Sequence, residues 1–308
     1  MAIPYYHVDA FTDSLFRGNP AGVCILPAFL ADNILKKIAA ENRHSETAFL
    51  VPRADGDFDL RWFTPEVEDD LCGHATLASA YVLALRKHAV WPVRFHTCSG
   101  LLTVSQVDDG FEMDFPARPP QICETPVDLL PALGLNTALV MKSRDYLVVV
   151  DEAEQLRALR PDFARLARID TGIGGTIVTA PGCGDVDYVC RLFAPSVGIN
   201  EDPATGSIHC TLAPYWSARL GKQTLRAHQL SARGGAMQST VAGDRVKISG
   251  CARLYLQGTI ELSGGGSEVR RGTDADSSTH HPQTEERLGP RSLRMTTGFV
   301  LGISDSGV

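Results

Sequence analysis

Residues 5–10, mixed apolar and polar, and the short apolar run 21–26 look like two strands. Over 31–41 the apolar positions change to helical spacing, with Ile34, Leu35 and Ile38 behind a start signal at Asp32. Strands are predicted again over 47–51 and 57–63, followed by an apolar helix over 75–86. Three more runs, 93–97, 101–107 and 110–115, read as a meander broken at Ser99-Gly100 and at Asp108-Asp109-Gly110. Runs of strands with single helices between them predict an α+β or mixed α/β architecture rather than a regular alternation.

The pattern also repeats. Arg61-Trp62-Phe63-Thr64-Pro65-Glu66-Val67 matches Arg191-Leu192-Phe193-Ala194-Pro195-Ser196-Val197 at every other position, as R-x-F-x-P-x-V. Each copy continues through an acidic stretch into a glycine turn and a helix, at Gly73-His74 in the first and at Gly206-Ser207 in the second. Chance likeness between two proline-bearing edge strands is the simpler explanation. Four matched positions followed by the same order of elements favour duplication instead. Two similar domains are therefore predicted, 1–118 and 119–262, the last strands of the second being free to pair with the first. The boundary falls where Pro116, Pro119, Pro120 and Pro126 interrupt any regular element. The two glycine turns then occupy equivalent places and are expected to meet across the seam, a common location for a small-molecule cleft. Residues 263–308 begin with a flexible Ser-Gly-Gly-Gly-Ser linker and are read as a tail outside the fold, in which only 295–303 is apolar enough to dock as a strand.

Composition narrows the functional classes. At 44% hydrophobic and 21% charged residues the chain is ordinary globular material. A formal net charge of -7 leaves no basic face for a phosphate backbone, so no nucleic-acid partner is expected. The first residues lack a basic stretch followed by a long apolar run, and no segment approaches the ~20 apolar residues of a membrane helix. A soluble, cytoplasmic protein without a membrane partner is expected. The eight cysteines stand singly, with no C-x-x-C pair, and read as reduced thiols mostly in the core.

Three positions carry the candidate chemistry. Glu46 starts an apolar strand, where partial desolvation raises a carboxyl group toward the range of a general acid or base. From this segment alone, a solvated strand-end charge is the commoner reading. His74 follows Gly73 ahead of an apolar helix, so backbone N–H groups beside it can hold a carboxylate or a developing oxyanion. A structural histidine fits that position equally well. Asp202-Pro203-Ala204-Thr205-Gly206-Ser207 has the same form: Asp202 can bond a substrate hydroxyl or amine, while Ser207 and the neighbouring N–H groups can take an anionic end. Such a stretch is also an ordinary turn and helix cap. Its duplicated placement opposite Gly73-His74 favours function. No dinucleotide fingerprint surrounds Gly172-x-Gly174-Gly175, and there is neither a phosphate loop nor a G-x-S-x-G elbow. His7, His44, His74, His96, His209 and His228 are too dispersed for a metal motif.

Taken together, Asp9-Ala10-Phe11, residues 16–23 (Phe-Arg-Gly-Asn-Pro-Ala-Gly-Val), Ser45-Glu46-Thr47-Ala48-Phe49, Arg61-Trp62-Phe63-Thr64-Pro65, Cys72-Gly73-His74-Ala75-Thr76-Leu77 and residues 201–207 resemble the PhzF-like family of phenazine biosynthesis. The resemblance covers residues 3–262 and leaves the tail without a counterpart. It implies an α+β, diaminopimelate-epimerase-like fold, in which two similar domains each wrap a sheet around a central helix and the site lies between them. It further implies that Glu46 is the proton-transferring carboxylate, with His74 and Asp202 assisting. Gly73, Gly206 and Ser207 would bind substrate, the N–H groups of Gly73 and His74 meeting its carboxylate. Homodimers that need neither metal nor organic cofactor are the family's habit. Its best-understood activity is isomerisation of trans-2,3-dihydro-3-hydroxyanthranilate, although the motifs do not name the substrate of this chain.

Two other readings stay open. Related epimerases and proline racemases use two cysteine thiolates on opposite faces of the substrate. Here Cys72 keeps the first place, but Ala204 stands at the second and Cys210 is assigned to the core. A non-catalytic binding protein on the same fold would have no need to place Glu46, His74 and Asp202 around one cavity.

Overall fold

The first half of the chain folds as β1 (Ala2–Ala10), β2 (Asn19–Ile25), α1 (Asp32–Asn42), β3 (Glu46–Pro52), β4 (Phe58–Phe63) and β5 (Glu68–Asp69). It continues through α2 (Gly73–Leu85), β6 (Val93–Thr97), β7 (Gly100–Val107) and β8 (Gly110–Pro116). The second half begins with β9 (Gln121–Ile122), α3 (Leu129–Leu133), β10 (Leu139–Lys142), β11 (Tyr146–Val149), α4 (Ala153–Ala158) and α5 (Phe163–Leu166). It then runs through β12 (Thr176–Pro181), β13 (Tyr188–Ala194), β14 (Ile199–Asp202) and α6 (His209–Leu220). Strands β15 (Thr224–Gln229), β16 (Gly235–Ala242), β17 (Arg245–Gly250) and β18 (Ala252–Glu261) complete it. This computed structural model describes residues 1–262 other than 109 and 173. The tail predicted over 263–308 lies outside the described residues.

Strand pairing repeats between the halves. In the first, β2 runs parallel to β3, β3 antiparallel to β4, β4 antiparallel to β5 and parallel to β6. In the second, β11 runs parallel to β12, β12 antiparallel to β13, β13 antiparallel to β14 and parallel to β15. The architecture is α+β, two similar halves each folded around one long helix. The halves also exchange edges. β8 pairs antiparallel with β17, and β18 returns to the first strand, pairing Ile3 with Ile260.

The repeated R-x-F has a physical reason. Arg61 lies over the Phe63 ring at 4.9 Å and forks onto Glu68, while Arg191 lies over Phe193 at 4.8 Å and forks onto Glu201. Each arginine thus covers its own aromatic and ties β4 or β13 to the short acidic strand that leads to the glycine turn. Ten residues of α2 are buried, as befits a helix that is apolar on every side. One hydrophobic cluster runs through both halves, joining Phe11, Trp62 and Leu77 to Tyr188, Leu212 and Trp216.

Candidate active site

Glu46 is the first residue of β3, in register with Ala21 of β2. The apolar strand draws it inward, and at 7% exposure it is not the solvated strand-end charge that the segment alone suggests. His74, second in α2, is 5% exposed, and its Nε2 stands 3.2 Å from Glu46 Oε2. Both atoms are buried, and the contact between them is a close ion pair in which His74 is charged only if protonated. Gly73 and His74 open the helix, where backbone N–H groups have no intrahelical acceptor.

The second half supplies Asp202, the last residue of β14 and also buried. Its carboxylate accepts from Asn19 Nδ2 at 3.0 Å and from the Thr205 hydroxyl. Gln229 pins the same turn, donating to the Asp202 carbonyl at 2.7 Å and accepting from the Thr205 N–H at 2.8 Å. The two glycine turns meet: a Cβ on Gly73 would lie 3.5 Å from Gly206 Cα and 3.7 Å from Ser207 N. On Gly206 a Cβ would strike the buried Phe11 ring at 2.8 Å, so glycine is needed there for close approach.

A cavity of about 130 Å³ lies between these turns, lined by Glu46, Gly73, His74, Asp202, Gly206 and Ser207. That volume is small for a nucleotide. A larger open groove of about 870 Å³ runs past Arg17, Arg226 and His228 and shares no lining residue with it. The charged groups named there are exposed to solvent, whereas the small cavity gathers buried ones, so the chemistry is assigned to the small cavity.

Sequence reasoning gave no role to three residues at this site. Asp69 and Arg144 line the cavity, and Asn19 bridges the halves beside it. Asp69 and Asn19 lay within segments already singled out, but nothing in the local pattern distinguishes them from their neighbours. Arg144 sits between β10 and β11, outside every motif, and only the fold brings it here.

Burial and mutual charge dominate the electrostatics. Burial, followed by the nearby Glu46 charge, raises Asp69 to about 6. Burial also raises Asp202, against the pull of His74. For His74 burial alone would lower the value, but Glu46, Asp202 and Asp69 more than offset it and the net direction is upward. Burial pushes the Cys72 thiol well above its ordinary range, with Glu46 and Asp69 adding to the shift, so Cys72 is held as the thiol. Glu46, Cys72 and His74 bring an oxygen, a sulfur and a nitrogen within 4.8 Å of one another, the raw spacing of a metal set. Their directions argue against one. Cys72 Sγ addresses His74 Nδ1 at 3.4 Å while Glu46 addresses Nε2, so the two flank opposite edges of the ring rather than converge on one point. In the other such cluster among the described residues, Asp55, Asp57 and His96, the carboxylates are paired with arginines, Asp57 with Arg94 and Asp55 with Arg53.

The chain matches the family described as phenazine biosynthesis-like protein over residues 8–258. It is 54% identical over 263 residues to an uncharacterized isomerase of Pseudomonas aeruginosa, covering 85% of this chain and 100% of the relative. The crystal structure of a PhzF-family phenazine biosynthesis protein from Enterococcus faecalis is 42% identical, with a TM-score of 0.80, over 85% of this chain and 100% of that one. A probable proline racemase from Agrobacterium radiobacter, 13% identical with a TM-score of 0.58 over 86% and 94% of the two chains, shares the fold. On the family match and its close relatives, the chain belongs to the phenazine biosynthesis-like protein family and is an isomerase by class.

Proposed function

We propose that the protein is a cofactor-independent isomerase that moves a proton between two carbons of a small carboxylic acid, with Glu46 as the carrier. The observation that carries this reading is the buried Glu46 carboxylate, its Oε2 3.2 Å from His74 Nε2, with both residues lining one small cavity.

In the reaction, the Glu46 carboxylate takes a proton from a carbon of a conjugated acid, and the electron pair left behind delocalises toward the substrate carboxylate. That carboxylate is held by the N–H groups at Gly73, His74, Gly206 and Ser207, with Arg144 supplying positive charge. The Glu46 carboxylic acid then returns the proton to another carbon of the same conjugated system. His74 and Asp202 orient the substrate's hydroxyl or amine. An acid like trans-2,3-dihydro-3-hydroxyanthranilate fits this scheme, and a cytoplasmic homodimer is the form proposed for the working enzyme. A two-thiol racemase is disfavoured, because Ala204 has no proton to give, Cys72 is held as a thiol, and Cys210 does not line the cavity.

The test is a panel of small cyclic and unsaturated carboxylic acids in deuterated water, followed by NMR. The wild type is expected to place deuterium at defined carbons of at least one acid, and Glu46→Gln to lose that exchange by about 10²-fold or more while still binding it. Exchange retained at full rate by Glu46→Gln removes Glu46 from the mechanism. Binding without exchange in the wild type favours the non-catalytic reading.

A further inference from the structure

The Asn19 side chain lies within hydrogen-bond distance of both His74 and Asp202. It is fully buried, and its Nδ2 lies 3.0 Å from Asp202 Oδ1, 3.0 Å from the Ala204 carbonyl and 3.3 Å from His74 Nδ1. Amide oxygen and nitrogen are told apart by their partners. Here the assignment is settled by the Ala204 carbonyl, which can only accept: the atom beside it is the NH₂ group. That NH₂ group has two hydrogens for three acceptors, so His74 Nδ1, the farthest, can only share one of them, and the nitrogen has no lone pair with which to accept a proton from the ring. The other group at that edge of the ring, the Cys72 thiol at 3.4 Å, is held protonated by burial and is a donor as well. A proton on Nδ1 would meet an amide nitrogen that cannot accept and a thiol sulfur that accepts only weakly.

We infer that Asn19 is a positioning residue which keeps His74 Nδ1 unprotonated, so that the single ring proton sits on Nε2 and is presented to Glu46. The inference rests on Glu46 being the proton carrier for its catalytic meaning, but the proton's place on the ring is a structural claim of its own. In this arrangement the ring offers Glu46 a hydrogen rather than a lone pair, which stabilises the carboxylate before it takes the substrate proton. The same amide anchors Asp202, so one side chain from the first half sets both the tautomer of His74 and the position of the acid facing it across the seam. The charged and titratable groups around His74 are Glu46 on β3, His44 just before it, Asp69 on β5, Cys72 at the head of α2 and Asp202 on β14. The three carboxylates favour adding a proton to the ring, and Asn19 opposes its going to Nδ1.

The experiment is long-range ¹H–¹⁵N NMR of the histidine rings in the full chain, with the His74 signals identified by their loss in His74→Gln. At neutral pH the wild type is expected to show a lone pair on Nδ1 and hydrogen on Nε2. Asn19→Asp exchanges the donor for an acceptor. It is expected to bring the proton onto Nδ1 and to raise the His74 titration midpoint by at least about one unit. Asn19→Ala removes the donor without adding charge and is expected to give a mixture of tautomers and a drop of at least about tenfold in exchange rate with a smaller change in binding. Circular dichroism confirms that each variant is folded. Should Asn19→Asp not fold, Asn19→Ala alone decides. A protonated Nδ1 in the wild type, or His74 signals that match the wild type in both variants, overturns the inference. Failure of the Glu46 reading is recognised separately, as exchange that survives in Glu46→Gln whatever the ring shows.

Discussion

Asp69 is a carboxylate in an expensive place. It lies beside Glu46 with its own charge partly shielded from water, and it is raised to about 6, above the ~3.9 of an unfolded chain. The folded protein therefore holds that proton more tightly than the unfolded one. The stability this lends is complete below about pH 4 and is lost as pH rises through about 6. Asp69→Asn keeps the shape of the protonated acid without a charge to lose. It is expected to leave stability unchanged at pH 4 and to increase it by about 1–2 kcal/mol at pH 7, a figure reduced for the residue's partial exposure. Denaturant unfolding at the two pH values measures this, and equal effects at both would show that Asp69 is not desolvated by the cavity. Glu46 and His74 were legible as candidates because they stand beside an apolar strand and a glycine turn. Asp69 was not, since it reaches the cavity through a two-residue strand whose place depends on pairing with Trp62. Arg144 and Asn19 likewise owe their positions to tertiary contacts, and no local period announces them.

Among the elements, β4 and β13 carry the same motif in unequal surroundings. Arg191 adds to its fork two hydrogen bonds onto the Leu156 and Leu159 carbonyls, both at 3.1 Å, and is 8% exposed. Arg61 instead reaches the exposed Asp32 at 3.0 Å. Arg191→Ala leaves buried acceptors without a partner and is expected to cost about 3 kcal/mol, whereas Arg61→Ala is expected to cost about 1 kcal/mol. Thermal or denaturant unfolding of the two variants compares them, and equal losses would show that the copies are energetically interchangeable. The duplication was readable because both copies need the arginine over the phenylalanine and the acid beyond it. The predicted helix over 75–86 is observed from Gly73 to Leu85, since the apolar period starts at Ala75 while the backbone turns earlier, at the glycine. Strands β10 and β11, of four residues each, and helices α4 and α5, of six and four, escaped the reading because they are too short to complete a period.

At the scale of the molecule, the halves are similar in plan but not separate in construction. β18 closes the first half from the far end of the sequence, β17 joins β8, and one hydrophobic cluster runs through both central helices. No window of sequence reveals such an exchange, because it is a property of which edges remain open after each half has folded. The consequence for function is a cavity whose walls come from both halves, with Glu46 and His74 on one side and Asp202 and Ser207 on the other. In the proposed reaction, one carboxyl group held in this way serves two carbons of a bound acid. The most direct measurement uses the acid identified by the exchange panel, deuterated at the carbon that loses its hydrogen and converted in ordinary water under single-turnover conditions. Deuterium is expected at the receiving carbon of the same molecule, above the natural background, because Glu46 carries it across. Product with solvent hydrogen alone at that carbon, formed equally fast by Glu46→Gln, would contradict a single carboxyl carrier.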